Sequence, residues 1–488
     1  MSRRTAGRTR RGLGLWIALG SAAALALALV LLALSTRWSP RSGRSGRAAS
    51  DADSSARSAC TLHVLGSSTA LGEPYAPRAD LGRITSLLLG DSLAGRPIVV
   101  RNHGGKGKPA AGAVDDARAI AALHPVPGSA AALLYLGNNE FLGFDRRHDL
   151  RRSERQLFDV AVVSRSDLHQ VLQRYRTSLA TIVSILQEAG VQVVAATAAV
   201  NLADWEPNRS VLAEARHADA VRTGLATGDR LWAQGDVRGA LAAYRGVLDL
   251  EPEFALAHKR AGDCERELGE VEAARLAYQA AVDFDGNPYR ELAAQNAILR
   301  QVCAERKVPI IESQALLDAA SPSRITGFDL MWDNCHPKLE GYIVLARAGA
   351  EALLAAWGAD ASSLRPLGRQ EIEQELGIDA GFMRGVLHER GKYCYAAATL
   401  TFDPRARLER ARLYLDEADR MGPPDADITC SRAILAALEG DASRSIELWR
   451  RAHRLDPRVT RERLSNRYVE QILRRVGVED LEAKLRAP

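Results

Sequence analysis

The 488-residue chain is 47% hydrophobic, 5% aromatic and 26% charged, enough for two or three domains of ordinary size with cores built from Ala, Leu and Val. Ala and Leu favour helix over strand by intrinsic propensity. The formal charge of +5 is uneven: ten Arg, no Lys and two acids give residues 1–59 a charge of +8 and leave −3 for the rest, which excludes a nucleic-acid binder carrying its basic excess on the folded part.

Five Arg precede a charge-free apolar stretch at 13–35. A bilayer is crossed by about 20 apolar residues, whereas a secretory core takes roughly 7–15. We read 1–12 as a cytoplasmic basic tail and 13–35 as a single-pass transmembrane anchor, a cleaved signal peptide being the alternative. The positive-inside rule then puts the remainder in the extracytoplasmic (periplasmic) space. Residues 36–59, rich in Ser, Arg, Gly and Ala, read as a flexible linker.

Short apolar runs follow at 62–65, 97–100, 132–136, 191–195 and 308–311, separated by amphipathic stretches such as 166–188 and 291–306. Fully apolar strands alternating with helices predict an α/β fold, a parallel sheet covered on both faces in three layers. The interval between the fourth and fifth runs is anomalously long. Within it Gly228 and Gly262, Gly235 and Gly269, Ala240 and Ala274, and Tyr244 and Tyr278 each stand 34 residues apart, with Pro252 at a repeat end. That is the period and pattern of the tetratricopeptide repeat. Its small residues let paired helices approach, and its Tyr residues are expected to wedge between repeats. A second register pairs Ala411 with Ser445, Leu415 with Trp449, Ala418 with Ala452 and Pro423 with Pro457. The chain therefore divides into an α/β domain in two parts (60–216 and 289–358), inserted repeats (217–288) and a C-terminal helical repeat-like region (359–488).

The chemistry-bearing residues follow the strands. The first run ends in Gly66-Ser67-Ser68, a small-residue turn that presents a hydroxyl at the edge where open α/β sheets bind ligands. The second leads into Asn102-His103-Gly104-Gly105-Lys106-Gly107, the third into Gly137-Asn138-Asn139-Glu140. The last leads to Asp333-Asn334-Cys335-His336-Pro337, in which an Asp three residues before a His can orient the imidazole. These four blocks, in this order, resemble the GDSL/SGNH hydrolase family, over roughly 60–216 and 289–358. The resemblance implies a flavodoxin-like SGNH domain with Ser68 as nucleophile, His336 as general base and Asp333 as its orienter. It implies an oxyanion hole made by the Ser68 and Gly107 backbone N–H groups and the Asn139 side chain. Ser67 replaces that family's usual Asp beside the nucleophile, and Glu140 replaces the Asp of its third block. Neither is a member of the triad.

Asn201, Asp204 and Trp205, after the fourth run, are weaker candidates for substrate contact. His103 and Cys335 read more simply as structural, and Arg146, Arg147, Arg151 and Arg152 as solvated loop. The six Cys contain no CxxC pair, so disulfides and buried free thiols both stay open. No metal site or cofactor is expected. The expected activity is cleavage of an ester bond, in a lipid or acylated glycan, through an acyl-enzyme. The alternatives are an acyltransferase or deacetylase acting on an envelope glycan, or a repeat scaffold with a vestigial hydrolase domain. Expected partners are the ester substrate, a protein docked on the repeats and the membrane, but no nucleic acid.

Overall fold

The inner apolar runs become strands because β-branched residues, Leu and Ala line both faces of a sheet that is covered on each side, whereas the run at 97–100, expected to be covered as well, has no buried residue. In the computed structural model, which describes residues 59–93, 95–141, 162–401, 403–475 and 478, the runs are β1 (Cys60–Gly66), β3 (Arg96–Asn102), β4 (Ala130–Tyr135), β5 (Gln192–Ala196) and β6 (Ile310–Ile311). The sheet order is β2-β3-β1-β4-β5-β6; every pairing is parallel except that of the two-residue β2 (Ser92–Leu93) with β3. Without β2 this is the doubly wound order 2-1-3-4-5, whose direction of winding reverses at β1, so a crevice opens at the carboxyl ends of β1 and β4.

The two faces carry separate cores, as the two-residue strand period requires. Val64, Leu133, Tyr135 and Val194 face one way, against α2 (Leu81–Leu88) and α11 (Leu339–Ala356). Leu65, Leu134, Val193 and Ala195 face the other, against α3 (Ala110–Ala121), α4 (Arg165–Glu188) and α9 (Ala293–Arg306). Between strand β1 and helix α2 stands the single-turn α1 (Ser68–Leu71), and α10 (Ser313–Ala320) follows β6.

The long interval between β5 and β6 holds two helical hairpins, α5 (Ala218–Ala233) with α6 (Val237–Leu250) and α7 (Ala255–Glu267) with α8 (Val271–Asp283). A Cβ at Gly228 would stand 2.3 Å from the Tyr244 ring, and one at Gly262 2.8 Å from the Tyr278 ring. Tyr244 Oη donates to Asp229 at 2.8 Å and Tyr278 Oη to Asp263 at 2.9 Å. Each Tyr thus packs on the glycine of its own hairpin, and Tyr244 also shares an apolar cluster with Leu256, Ala257 and Ala261 of the next one.

After α11 come α12 (Arg369–Leu376), α13 (Ala380–Ala398), α14 (Arg405–Arg420), α15 (Ala426–Leu438), α16 (Ala442–Leu455), α17 (Pro457–Leu464) and α18 (Arg467–Arg475). Of the second 34-residue register, Ala411, Leu415, Ala418, Ser445, Trp449 and Ala452 are fully buried, whereas Pro423 and Pro457 are exposed. Cys394, Leu415, Ile434 and Trp449 join the same apolar core as Val64 and Leu133 of the sheet, so the C-terminal helices share a core with the α/β unit.

Among the described residues no helix is long and apolar enough to cross a membrane. The anchor expected at 13–35, the tail at 1–12, the linker up to residue 58 and the Arg pairs at 146–152 lie outside the described residues. The six cysteines are all free and buried.

Candidate active site

Strand β1 delivers its last residues to the crevice. Gly66 has no room for a side chain, since a Cβ would lie 2.2 Å from Tyr135 O on β4. The chain then turns at once into α1, with Ser67 as its N-cap residue and Ser68 at its first position. Tyr342 of α11 braces this turn, with its Oη 2.8 Å from Thr69 O and 2.9 Å from Glu73 O. Asn102, the last residue of β3, ties the neighbouring turn to it by donating to Ala70 O at 2.8 Å and accepting from Gly104 N at 2.7 Å.

The Asp–His loop is a small hairpin. Trp332 N donates to His336 O at 2.8 Å and Lys338 N to Leu330 O at 2.7 Å, with Met331 and Pro337 bridged between them. Its tip folds over Asp333, whose Oδ1 accepts from Cys335 N at 3.1 Å and His336 N at 2.9 Å. His336 Nδ1 is 2.9 Å from each Asp333 carboxylate oxygen. An ionised carboxylate only accepts, so Nδ1 carries a proton, and in the neutral ring Nε2 keeps its lone pair. That lone pair faces Ser68 Oγ at 2.8 Å. Residues 68, 333 and 336, separated by up to 268 positions, thus form one hydrogen-bonded chain.

Electrostatics hold this tautomer. Burial alone would raise the Asp333 carboxyl, but His336 and Arg390 outweigh it and hold it well below the usual carboxylate range. Burial likewise opposes a charged His336, yet the Asp333 carboxylate prevails and the imidazole is more basic than a free one.

The other expected oxyanion donors lie in the turns that follow β3 and β4. Gly107 takes φ +66°, a left-handed conformation that L side chains seldom adopt, and it closes the turn after β3. Asn139 is buried, its Nδ2 3.4 Å from Lys108 O beside that turn. Asn138 accepts from Glu291 N at 3.3 Å. Glu140 accepts from Ala110 N at 2.7 Å, capping α3. Burial pushes its carboxyl up to about 7.

Asn201, Asp204 and Trp205 are engaged by the protein itself. Asn201 N donates to Asn334 O at 2.9 Å, and Asn201 O accepts from Arg290 at 2.6 Å. Asp204 accepts from Arg266 of α7 at 2.9 Å and from Phe328 N at 2.8 Å. Trp205 is buried between Tyr393, 6.2 Å away, and the Arg407 guanidinium, 4.4 Å from its ring centre. His103 pairs with His63 at 3.0 Å, and Cys335 Sγ is 3.9 Å from His336 Nδ1. A cavity of about 220 Å³ between the repeats and α14 is lined by Leu225, Asp229, Leu256, Arg260, Asp403 and Arg405; none of these belongs to the serine site.

Sequence reasoning missed the contribution of α13. Arg390 Nη1 donates to Asp333 Oδ2 at 2.7 Å. Tyr393 donates to Asn334 Oδ1 at 2.7 Å and sets its ring edge-on to His336, with centres 6.1 Å apart. The one local signal is that His388, Arg390 and Lys392 interrupt a helix whose residues from 386 onward are otherwise largely buried and apolar.

Residues 225–289 match the tetratricopeptide repeat family model. No curated protein matches the chain by sequence. Among solved structures, the chain aligns over 62% of its length with the protein YxiM of Bacillus subtilis, at 15% identity and a TM-score of 0.31, and spans 57% of that protein. It aligns equally far, at 12% identity and a TM-score of 0.32, with LAE5, an alpha/beta hydrolase from the metagenome of Lake Arreo, Spain, covering 97% of it. A lipase/acylhydrolase from Enterococcus faecalis aligns over 63% of this chain and 99% of its own, at 10% identity and a TM-score of 0.30.

Proposed function

We propose that the chain is a serine hydrolase that cleaves an ester through an acyl-enzyme on Ser68. The observation that carries this reading is the chain from Ser68 Oγ to His336 Nε2 at 2.8 Å and from His336 Nδ1 to Asp333 at 2.9 Å, standing at the carboxyl edge of a parallel sheet. A serine hydroxyl is a weak nucleophile at neutral pH and needs an adjacent base. In the proposed reaction Ser68 Oγ bonds to the ester carbonyl carbon while its proton passes to His336 Nε2. The carbonyl oxygen becomes an oxyanion facing the Ser68 and Gly107 N–H groups and Asn139 Nδ2. The intermediate collapses, the alkoxide leaves with the proton from His336, and water repeats both steps to release the acid.

Labelling with a fluorophosphonate probe tests this directly. The wild-type chain is expected to be labelled and Ser68→Ala not; absence of label, or equal label in both, would overturn the assignment.

The substrate, an ester-bearing lipid or acylated glycan, and the placement of the site outside the cytoplasm on an anchor at 13–35 are part of the same proposal. Protease accessibility of the folded part in intact spheroplasts, with 13–35 present, checks the placement. The match of 225–289 to the tetratricopeptide repeat supports a protein partner on those hairpins.

A further inference from the structure

Helix α13 reaches the candidate site from a part of the chain that the four motif blocks do not include. Arg390 is 7% exposed and the Asp333 it bonds is 0% exposed. On its other side Arg390 Nη2 lies 3.6 Å from Glu73 Oε2, and Glu73 Oε1 lies 2.7 Å from Lys106 Nζ. Lys106 adjoins Gly107. A row of alternating charge, Lys106–Glu73–Arg390–Asp333, therefore runs from the glycine turn to the acid behind His336.

Burying the Arg390–Asp333 end of this row is unfavourable as a way of filling space, because an apolar side chain of similar volume packs there without desolvating a cation. Arg390 Nε is also left without a hydrogen-bond partner, so the guanidinium is not arranged to maximise its own bonding. What its position does achieve is a fixed cation against the one Asp333 oxygen that accepts no backbone N–H.

We propose that Arg390 is a positioning residue of the serine site, holding the Asp333 carboxylate in register with His336 and balancing its charge, while Glu73 offsets Arg390 from the far side. This rests on the reading of Ser68 as nucleophile. The groups facing His336 are Ser68 from α1, Asp333 and Cys335 from its own loop, Arg390 and Tyr393 from α13, and Glu73 from the segment after α1. Arg407 and Arg410 of α14 act on Tyr393 and Cys394 behind them. Loss of the Arg390 cation leaves the imidazolium facing an unbalanced carboxylate, so His336 gives up its proton at higher pH. Loss of the Glu73 anion has the opposite sign.

The test is the rate of fluorophosphonate labelling of the full chain as a function of pH, beside its melting temperature. For Arg390→Met we expect labelling at neutral pH slowed 10- to 100-fold, with the acid limb moved up by about one pH unit. Arg390→Lys is expected to recover part of both. In Glu73→Gln the acid limb moves down. Folded variants whose limbs coincide with wild type, or move the same way, overturn the proposal and leave Arg390 as packing. If Arg390→Met does not fold, Glu73→Gln decides: a downward limb supports the proposal and an unmoved one overturns it. A wild-type chain that is never labelled removes the Ser68 reading and this proposal with it, whereas normal labelling with unmoved limbs removes this proposal alone.

Discussion

Asp333 is wholly buried and accepts from Cys335 N, His336 N, His336 Nδ1 and Arg390 Nη1. Four donors converging on one carboxylate fix its plane, and with it the plane and tautomer of His336. Asp333→Asn preserves the volume but brings an amide that can donate, so His336 can present the wrong nitrogen to Ser68. We expect kcat on a small ester to fall by about 10⁴-fold with the fold retained, the size seen when a triad acid is so replaced. The role proposed for Asn139 lies at the other end of the reaction. Asn139→Ala removes one proposed oxyanion donor, for which an expected loss of roughly 10²–10³ in kcat, with KM little changed, is the measure. A variant with unaltered kcat would take Asn139 out of the oxyanion hole. Neither residue owes its state to its neighbours in sequence alone: Asp333 needs Arg390, and Asn139 needs the turn that ends β3.

The strand-to-loop joins are where elements create the site, and Glu140 shows how a motif residue can belong to an element instead. It departs from the acid usual in the resembling family, and its extra methylene lets Oε1 reach Ala110 N at the start of α3. Burial is the main reason its carboxyl rises to about 7 from 4.5, with the Ala110 N–H and Arg174 opposing. In the unfolded chain the group ionises near 4.5 while the folded one stays protonated up to about 7. Stability is therefore lost as pH rises through that window and levels off above it. Glu140→Gln keeps the acceptor and cannot ionise. Urea unfolding should show it close to wild type at pH 4.5 and more stable at pH 8 by up to about 3 kcal/mol. Equal stability at both pH values would mean that Glu140 is already solvated or paired when ionised.

Across the molecule, the inserted hairpins and the C-terminal helices meet around residues 204–208. Arg407 of α14, 1% exposed, donates to Glu206 O at 2.6 Å, Asn208 Oδ1 at 2.7 Å and Ala397 O at 2.8 Å, and stacks on Trp205. Arg260 of the repeats pairs with Asp403 at 2.9 Å at the start of α14. Arg407→Ala takes a donor from three acceptors, of which Ala397 O keeps Leu400 N at 3.0 Å, and removes the cover of Trp205, which packs on Tyr393 and so backs His336. A loss of about 3 kcal/mol, read from denaturant unfolding, is expected, accompanied by slower labelling of Ser68. Unchanged stability would show that water takes over these acceptors.

How much could be read in advance differs between the two halves of the site. The strands were legible because a buried parallel strand writes itself as a short apolar run, and Ser68, Gly107 and Asn139 stand directly after such runs. The repeats were legible because a 34-residue unit repeats its close contacts, glycine against tyrosine, at a fixed period. The edges of the pattern were not: β2 has two residues and no signal, and Asn201, Asp204 and Trp205 stand in a promising loop but are held by Arg290, Arg266 and Arg407. Arg390 was hidden for the same reason. Its role depends on which face of α13 meets the Asp333 loop, and that orientation is set by Leu415, Ile434 and Trp449 packing into the sheet's own core. Thus the sequence alone determined the order of the strands and the repeat insertion, since each is a local pattern, and it marked Ser68, Asp333 and His336 as candidates by the runs they follow. The tertiary structure alone decided the charge behind the triad, because a partner for Asp333 drawn from a helix more than fifty residues onward, 57 positions in all, leaves no trace in local spacing.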